Sequence, residues 1–314
     1  MEPFLPGRTT VGFVGIGKMG VPMSRNLRRG DIAVVGYDLR AEALEAVRPD
    51  GVQPAESLAD LAARCDVVIT MLPDSNVVDR VVLGGDGLAA HLAPGKVIID
   101  MSSSYPARTR ALGEELKGRG IHLLGAPVSG GVRGAEAATL AIMPGGLAEV
   151  VEAAMPLFER MGKTIVHMGE AVESGHAMKC INNFLSATNL LSSLEAMSLA
   201  VKAGLDPQKA LDVINGGSGS NSATRDKWAQ SLLPRSFDMG FTTGLMYKDL
   251  SMGCQMAQEM NATVFLLNHV RQVYGLGVAR FGPDADQAHM LELIEEWVGQ
   301  RVDGRPPADK EPGA

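Results

Sequence analysis

From Thr10 to about Gly169, short runs of β-branched and aliphatic residues alternate with helix-length segments. The runs are Val11–Ile16, Ile32–Tyr37, Val67–Leu72, Lys96–Ile99, Ile121–Leu124, Leu140–Met143 and Thr164–His167. Strands that alternate with helices predict parallel βαβ units with helices on both faces of a sheet. Val67-Val68-Ile69 and Val97-Ile98-Ile99 show no polar alternation, as expected of strands covered on both sides. After Gly169 the β pattern stops. Gly175 to Ala203 reads as one helix, free of Pro and Gly beyond its first residue and roughly 40 Å long at 1.5 Å per residue. Gly204 ends it, and Asp206-Pro207 supplies an N-cap followed by Pro at the first helical position. Further helices are predicted over Pro207–Ile214, Thr243–Met260, Val264–Tyr274 and Ala285–Val298, with Gly216–Ser222 as a flexible connection. The expected organisation is a doubly wound α/β domain over 1–172 and an all-α domain over 173–300. The second domain opens with a long interdomain helix, and a flexible, Pro- and charge-rich tail follows over 301–314.

The length of 314 residues fits two domains, and 46% apolar residues suffice for a sizeable core. Against 36 acidic residues stand 29 basic ones, a net charge of −7 with His neutral, which removes any global attraction to nucleic acid or anionic membrane. Cys65, Cys180 and Cys254 are far apart and odd in number, so no disulfide framework is expected. The six His follow no metal-ligand spacing, and no metal is expected. The start lacks a basic segment followed by an apolar one, and no stretch reads as about 20 consecutive apolar residues. The expected compartment is the cytoplasm, with no membrane association.

The glycines become informative once placed. Gly15-x-Gly17-x-x-Gly20 follows the first strand and opens a helix, as in the dinucleotide-binding turn of Rossmann-type folds. There the first Gly makes the turn, the second lets backbone N–H groups approach a pyrophosphate, and the third packs helix on strand. Gly12-x-x-x-x-Gly17-Lys18 overlaps it as a P-loop, but Met19 stands where that motif needs a Mg²⁺-binding hydroxyl. Asp38 ends the next strand, where an acid accepts hydrogen bonds from a ribose 2′-OH and repels a 2′-phosphate. It favours NAD over NADP, whereas Arg40 offers a phosphate partner.

Two more segments sit where open α/β sheets place ligands: Asp100-Met-Ser-Ser-Ser104, and Gly125-Ala-Pro-Val-Ser-Gly-Gly131. Each is also readable as an ordinary Ser/Gly turn. In the second, Ser129 with Gly130 and Gly131 is suited to holding a carboxylate through hydroxyl and backbone N–H groups. On the long helix Lys179 and Asn183 share a face. A lysine desolvated beside a cationic nicotinamide falls from about pKa 10.4 towards neutrality, as a general base requires, although a solvated Lys fits the spacing equally. Cys180 reads as a buried filler and His176 as structural.

Taken in order, these motifs resemble the β-hydroxyacid dehydrogenase family, whose members include 3-hydroxyisobutyrate dehydrogenase and tartronate semialdehyde reductase. They are Gly15–Gly20, Asp100-Met-Ser-Ser, Gly125-Ala-Pro-Val-Ser-Gly-Gly, Gly175-His-Ala-Met-Lys-Cys-Ile-Asn-Asn183, and Lys248-Asp249-Leu250 preceded by Phe241. The resemblance runs from Val11 to about Val298. It implies NAD(P)-dependent interconversion of a small anionic β-hydroxyacid and its semialdehyde, with a sulfonate or dicarboxylate hydroxyacid as further substrates and an NAD-sensing or scaffolding protein as the non-catalytic alternative. By the same resemblance Lys179 is the acid/base, and Ser103, Ser129, Gly130, Gly131, Asn183 and Asp249 meet the substrate. Gly15, Gly17, Lys18, Met19, Gly20, Asp38, Met71, Leu72, Pro73, Ser103, Phe241 and Lys248 meet the cofactor, and the assembly is a homodimer or homotetramer. Imine reductases share the fold but replace the Lys. Ser103 stands where Thr is common, Pro144 where an aliphatic residue is usual, and Arg133 is not a fixed family position.

Overall fold

The computed structural model describes residues 1–304. Residues 305–314, within the tail expected over 301–314, lie outside them. The chain divides into two compact units, Met1–Lys179 and Cys180–Ala314.

The strands of the first unit are β1 (Thr10–Val14), β2 (Ala33–Tyr37), β3 (Gln53–Pro54), β4 (Val67–Thr70), β5 (Val97–Asp100), β6 (His122–Gly125), β7 (Val128–Ser129), β8 (Leu140–Ile142) and β9 (Gly162–Ile165). Between them run α1 (Gly20–Arg29), α2 (Ala41–Glu45), α3 (Leu58–Arg64), α4 (Ser75–Leu83), α5 (Leu88–His91), α6 (Pro106–Gly118), α7 (Gly131–Glu136) and α8 (Ala148–Met161). Six strands form a parallel sheet in the order β3-β2-β1-β4-β5-β6, the doubly wound Rossmann arrangement anticipated from the alternation. Val11 lies opposite both Val34 and Val67, at the point where the strand order reverses. Side chains alternate between two cores. Phe13, Ile69 and Ile99 join Leu157 and Phe158 on one face, while Val68 and Ile98 join Leu112 and Leu116 on the other. Covering both faces explains why β4 and β5 carry no polar alternation. A second sheet pairs β7 antiparallel and β9 parallel to β8.

Several strands end earlier than their apolar runs. β1 stops at Val14 because Gly15 takes a left-handed φ of +99°. β4 stops at Thr70, and Leu72 N–H donates instead to Ser102 Oγ at 2.9 Å. β3 and β7 span two residues each, too short for periodicity to reveal. Helix α9 (Ser174–Lys202) realises the long apolar pattern. By length and composition it is long enough to cross a membrane, although its polar His176, Lys179, Asn183, Ser193 and Ser198 are buried within protein.

The second unit continues α9 and adds α10 (Pro207–Gly216), α11 (Thr243–Glu259), α12 (Phe265–Phe281) and α13 (Met290–Val298). Between α10 and α11 lies a π-helix, Ala223–Leu232, which the sequence pattern did not disclose. Asn221 Oδ1 caps it, accepting from Ala223 N–H at 2.8 Å and Thr224 N–H at 3.1 Å. Trp228, fully buried, donates its indole N–H to Ser193 Oγ on α9 at 2.9 Å. Trp228 and Tyr274 anchor a core shared with Leu190, Leu194 and Met197 of α9. α12 continues past its expected end through Gly275 and Gly277, and a Cβ at Gly277 would overlap Met290 Sδ.

Candidate active site

At the reversal of strand order the three fingerprint glycines serve three different needs. A Cβ on Gly15 would overlap the Met71 carbonyl oxygen, and one on Gly20 the Gly15 carbonyl oxygen. A Cβ on Gly17 would meet only Arg40 Nη2, at 3.9 Å, so this position is uncrowded. A backbone bare at Gly17, leading into α1 with no side chain capping its start, fits a pyrophosphate and the dinucleotide that carries it. Lys18 is exposed at the turn, whereas Met19 packs back on the sheet core. Met71 N–H donates to Val14 O at 2.9 Å, which holds Met71, Leu72 and the exposed Pro73 beside the turn.

Asp38 anchors the same turn. Its Oδ2 accepts from Ile16 N–H at 2.9 Å, and its Oδ1 from Arg40 N–H at 2.9 Å and Arg40 Nε at 3.2 Å. Burial alone would raise the carboxyl pKa; the Arg40 and Ile16 hydrogen bonds and the Arg40 charge outweigh it, and the net direction is down. Arg40 therefore sits on the rim of the turn, held by Asp38.

The Asp100–Ser104 loop divides its labour by alternation. Asp100, Ser102 and Ser104 are buried, and Ser103 alone among the three serines is half-exposed. Asp100 Oδ1 accepts from Thr70 Oγ1 at 2.9 Å and Ser102 N–H at 3.1 Å, and its Oδ2 accepts from Ser104 Oγ at 2.6 Å. His176, fully buried, completes the network: Nδ1 pairs with Thr109 Oγ1 at 2.9 Å, and Nε2 with Ser102 O at 3.1 Å, 3.6 Å from Asp100 Oδ2. Sequence reasoning read His176 as structural without finding its partners, which lie on strand and helix segments distant in the chain.

Close backbone approach fixes the first turn of α9. A Cβ on Gly175 would overlap the carbonyl oxygens of Met143 and Gly125, and one on Gly125 would overlap the Val172 carbonyl oxygen. Pro144 is buried in this wall and accepts from Met168 N–H at 2.7 Å. Lys179 follows one turn after His176 and is 8% exposed. In the neighbouring turn Gly130 and Gly131 have φ of +133° and +62°, values that favour glycine. Gly131 has no atom within 4 Å of its Cβ position, and Asn26 Nδ2 of α1 donates to Ala135 O of α7 at 2.6 Å, tying together the helices that follow the two glycine-rich turns.

Within the second unit Asn183, on the face of α9 that carries Lys179, donates Nδ2–H to Asp249 Oδ2 at 2.6 Å. Asp249 is buried, and its Oδ1 lies 3.2 Å from Lys248 Nζ. That approach is close enough for an ion pair, and among the described residues Oδ1 has no hydrogen-bond partner. Asn183, Lys248 and Asp249 thus form one cluster, whereas Phe241 packs against the edge of the Trp228 core, its carbonyl accepting from Gln287 N–H at 2.9 Å.

A parallel sheet of this order, a glycine turn open to a pyrophosphate and an acid at the end of β2 define an NAD(P)-binding oxidoreductase fold. Residues 10–169 match the NAD-binding domain of 6-phosphogluconate dehydrogenase, and residues 173–294 the NAD-binding domain of NADP-dependent 3-hydroxyisobutyrate dehydrogenase. The chain is 34% identical to 2-(hydroxymethyl)glutarate dehydrogenase of Eubacterium barkeri, covering 94% of this chain and 97% of that one. It is 36% identical to 3-hydroxyisobutyrate dehydrogenase of Pseudomonas aeruginosa over 85% of this chain and 92% of that one. A solved structure of Mycobacterium tuberculosis 3-hydroxyisobutyrate dehydrogenase with L-serine superposes with a TM-score of 0.81 at 35% identity, covering 91% and 99% of the two chains. The chain belongs to the β-hydroxyacid dehydrogenase family and is an NAD(P)-dependent hydroxyacid dehydrogenase.

Proposed function

We propose that this protein reversibly oxidises a short β-hydroxyacid to its semialdehyde, with Lys179 as the general acid/base. The bound nicotinamide supplies the hydride acceptor. As the carbinol C–H bond breaks, Lys179 Nζ takes the hydroxyl proton, and in the reverse direction it returns that proton to the carbonyl oxygen. Asn183, held by Asp249, orients the substrate oxygen; Ser129 and the Gly130–Gly131 backbone hold its carboxylate, with Ser103 beside them. Lys248 reaches the cofactor. The observation that carries this reading is the immobilised start of α9: a buried His176 with three partners sits one turn before a largely buried Lys. General acid/base groups act only when held within reach of the proton they move.

NAD is the preferred cofactor in this reading, supported by an Asp38 carboxylate held ionised at the end of β2. The substrate candidates are 3-hydroxyisobutyrate, a glycerate/tartronate semialdehyde pair, a sulfonate analogue, and a dicarboxylic hydroxyacid such as the one named for the Eubacterium barkeri relative. Exposed apolar side chains of the second unit, including Leu199, Phe265, Leu266 and Trp297, support assembly into a homodimer or homotetramer in the cytoplasm.

The test is Lys179→Ala assayed by NADH absorbance. Turnover falls by about 10²–10⁴-fold, the range of a general acid/base, while NADH binding and circular dichroism are retained. Near-normal turnover overturns the assignment.

A further inference from the structure

The π-helix carries a cation that none of the motifs above absorbs. Lys227 lies next to the buried Trp228, and both residues face α9. Trp228 bonds to Ser193, and Lys227 Nζ reaches Ser186 Oγ at 3.4 Å, two helical turns away from Ser193. Ser186 continues a stripe. Lys179, Asn183 and Ser186 stand at i, i+4 and i+7 of α9, and such spacing brings side chains back to nearly the same azimuth of a helix. The rise of 1.5 Å per residue puts about 4.5 Å along the axis between Asn183 and Ser186.

Among the described residues Lys227 has no carboxylate in direct contact. Among the described residues its only hydrogen bond is the long one to Ser186, and no acidic group lies within ion-pair distance. The acids whose charge it feels are otherwise placed: Asp226 is exposed, and Asp286 accepts from Gly240 N–H at 2.7 Å and Ala288 N–H at 2.9 Å. Burial lowers the pKa of Lys227 from its ordinary value, as expected for a desolvated ammonium with too few acceptors. An ammonium offers three donors, and a half-buried one that uses a single weak bond has capacity for an anion. A π-helix segment, rare and poorer in regular backbone geometry than an α-helix, is itself frequent at functional positions.

We infer that Lys227 recognises a second anionic group on the substrate, so that the preferred substrate is a diacid: a β-hydroxyacid whose distal carboxylate meets Lys227 while its reacting end lies towards Asn183, on the same stripe of α9. The inference rests on the reading of Lys179 and Asn183 given above. It makes the π-helix the source of selectivity. A charge-assisted hydrogen bond in a partly desolvated setting discriminates far better than an added methylene, because without the distal carboxylate the buried cation stays unpaired.

The experiment compares kcat/KM for a dicarboxylic and a monocarboxylic β-hydroxyacid, 2-(hydroxymethyl)glutarate and 3-hydroxyisobutyrate, in the native enzyme, Lys227→Met and Lys227→Arg. The native enzyme prefers the diacid. Lys227→Met lowers the diacid-to-monoacid ratio by about 10- to 100-fold, mainly through KM, and Lys227→Arg recovers part of it. Competition by glutarate against butyrate on the NADH-bound enzyme shifts in the same direction and requires no turnover. A native preference for the monoacid, an equal fall for both substrates in Lys227→Met, or glutarate binding unaffected by the substitution overturns the inference and leaves the role of Lys179 standing. Absence of turnover on both acids overturns the underlying reading; glutarate binding that depends on Lys227 still supports an anion site there.

Discussion

The two units build their functional surfaces from different material. In the first the groups proposed to face a ligand are mostly backbone: the uncrowded Gly17 and Gly131, an uncapped helix start, and side chains such as Asp38 and His176 that hold the backbone in place. In the second they are side chains on helices, Asn183 paired with Asp249, Lys248 beside it, and Lys227 on Ser186. A surface made from backbone tolerates almost no substitution at Gly15, Gly20, Gly125 and Gly175, where a methyl group collides with a carbonyl oxygen. One made from side chains can change residue by residue while its scaffold persists. In the reading proposed above, the pyrophosphate turn belongs to the rigid surface and the selectivity assigned to Lys227 to the replaceable one.

Substitutions rank by how far they break this contrast. Gly175→Ala has the largest expected effect, since its methyl overlaps two backbone oxygens that cannot move independently. It destabilises by about 3 kcal/mol, as overpacking at a rigid site does, and is measured as a fall in midpoint in urea titration. Gly15→Ala adds a left-handed φ to a similar clash and lowers NADH affinity by about 100-fold, read by NADH fluorescence titration, with a smaller loss of stability. His176→Phe keeps the volume and removes the polar links; kcat falls by about tenfold with little change in NADH affinity, because Lys179 loses its fixed approach. Asp38→Ala releases Arg40 and moves the NADP-to-NAD ratio of kcat/KM upward by about 10-fold from the NAD preference proposed above. Asp249→Asn is the mildest. It retains the shape and weakens the hold on Asn183, raising KM for the hydroxyacid by about threefold with cofactor KM unaltered.

How much was legible follows the same division. The parallel βαβ alternation, the glycine turn and the acid after β2 were readable because a parallel βαβ fold writes its cofactor turn into one continuous stretch, Val11 to Asp38. Gly125 and Gly175 were legible as motif positions, but the reason for them, two chain segments crossing with no room for a Cβ, emerges only when β6 and α9 meet. Helix-to-helix links left weaker traces. Asp249 was noticed through Lys248-Asp249-Leu250, yet its bond to Asn183 spans 66 residues of sequence. The π-helix left none: Gly216–Ser222 read as a flexible connection and Trp228 belonged to no motif, because an i→i+5 winding produces no familiar period.

A π-winding differs from an α-winding by roughly one residue per turn, the mark left when a helix absorbs an insertion without shifting its flanks. Ala223–Leu232 is closed at one end by Asn221 and nailed to Ser193 by Trp228, so slack is confined between two fixed points. Removing one residue between Asn221 and Trp228, with Trp228 still seated on Ser193, would rotate the residues on the Asn221 side of the deletion by about 100° relative to Trp228. Length variation here therefore acts as a rotary selector for what a paralogue presents to its ligand, reachable by a single in-frame codon loss.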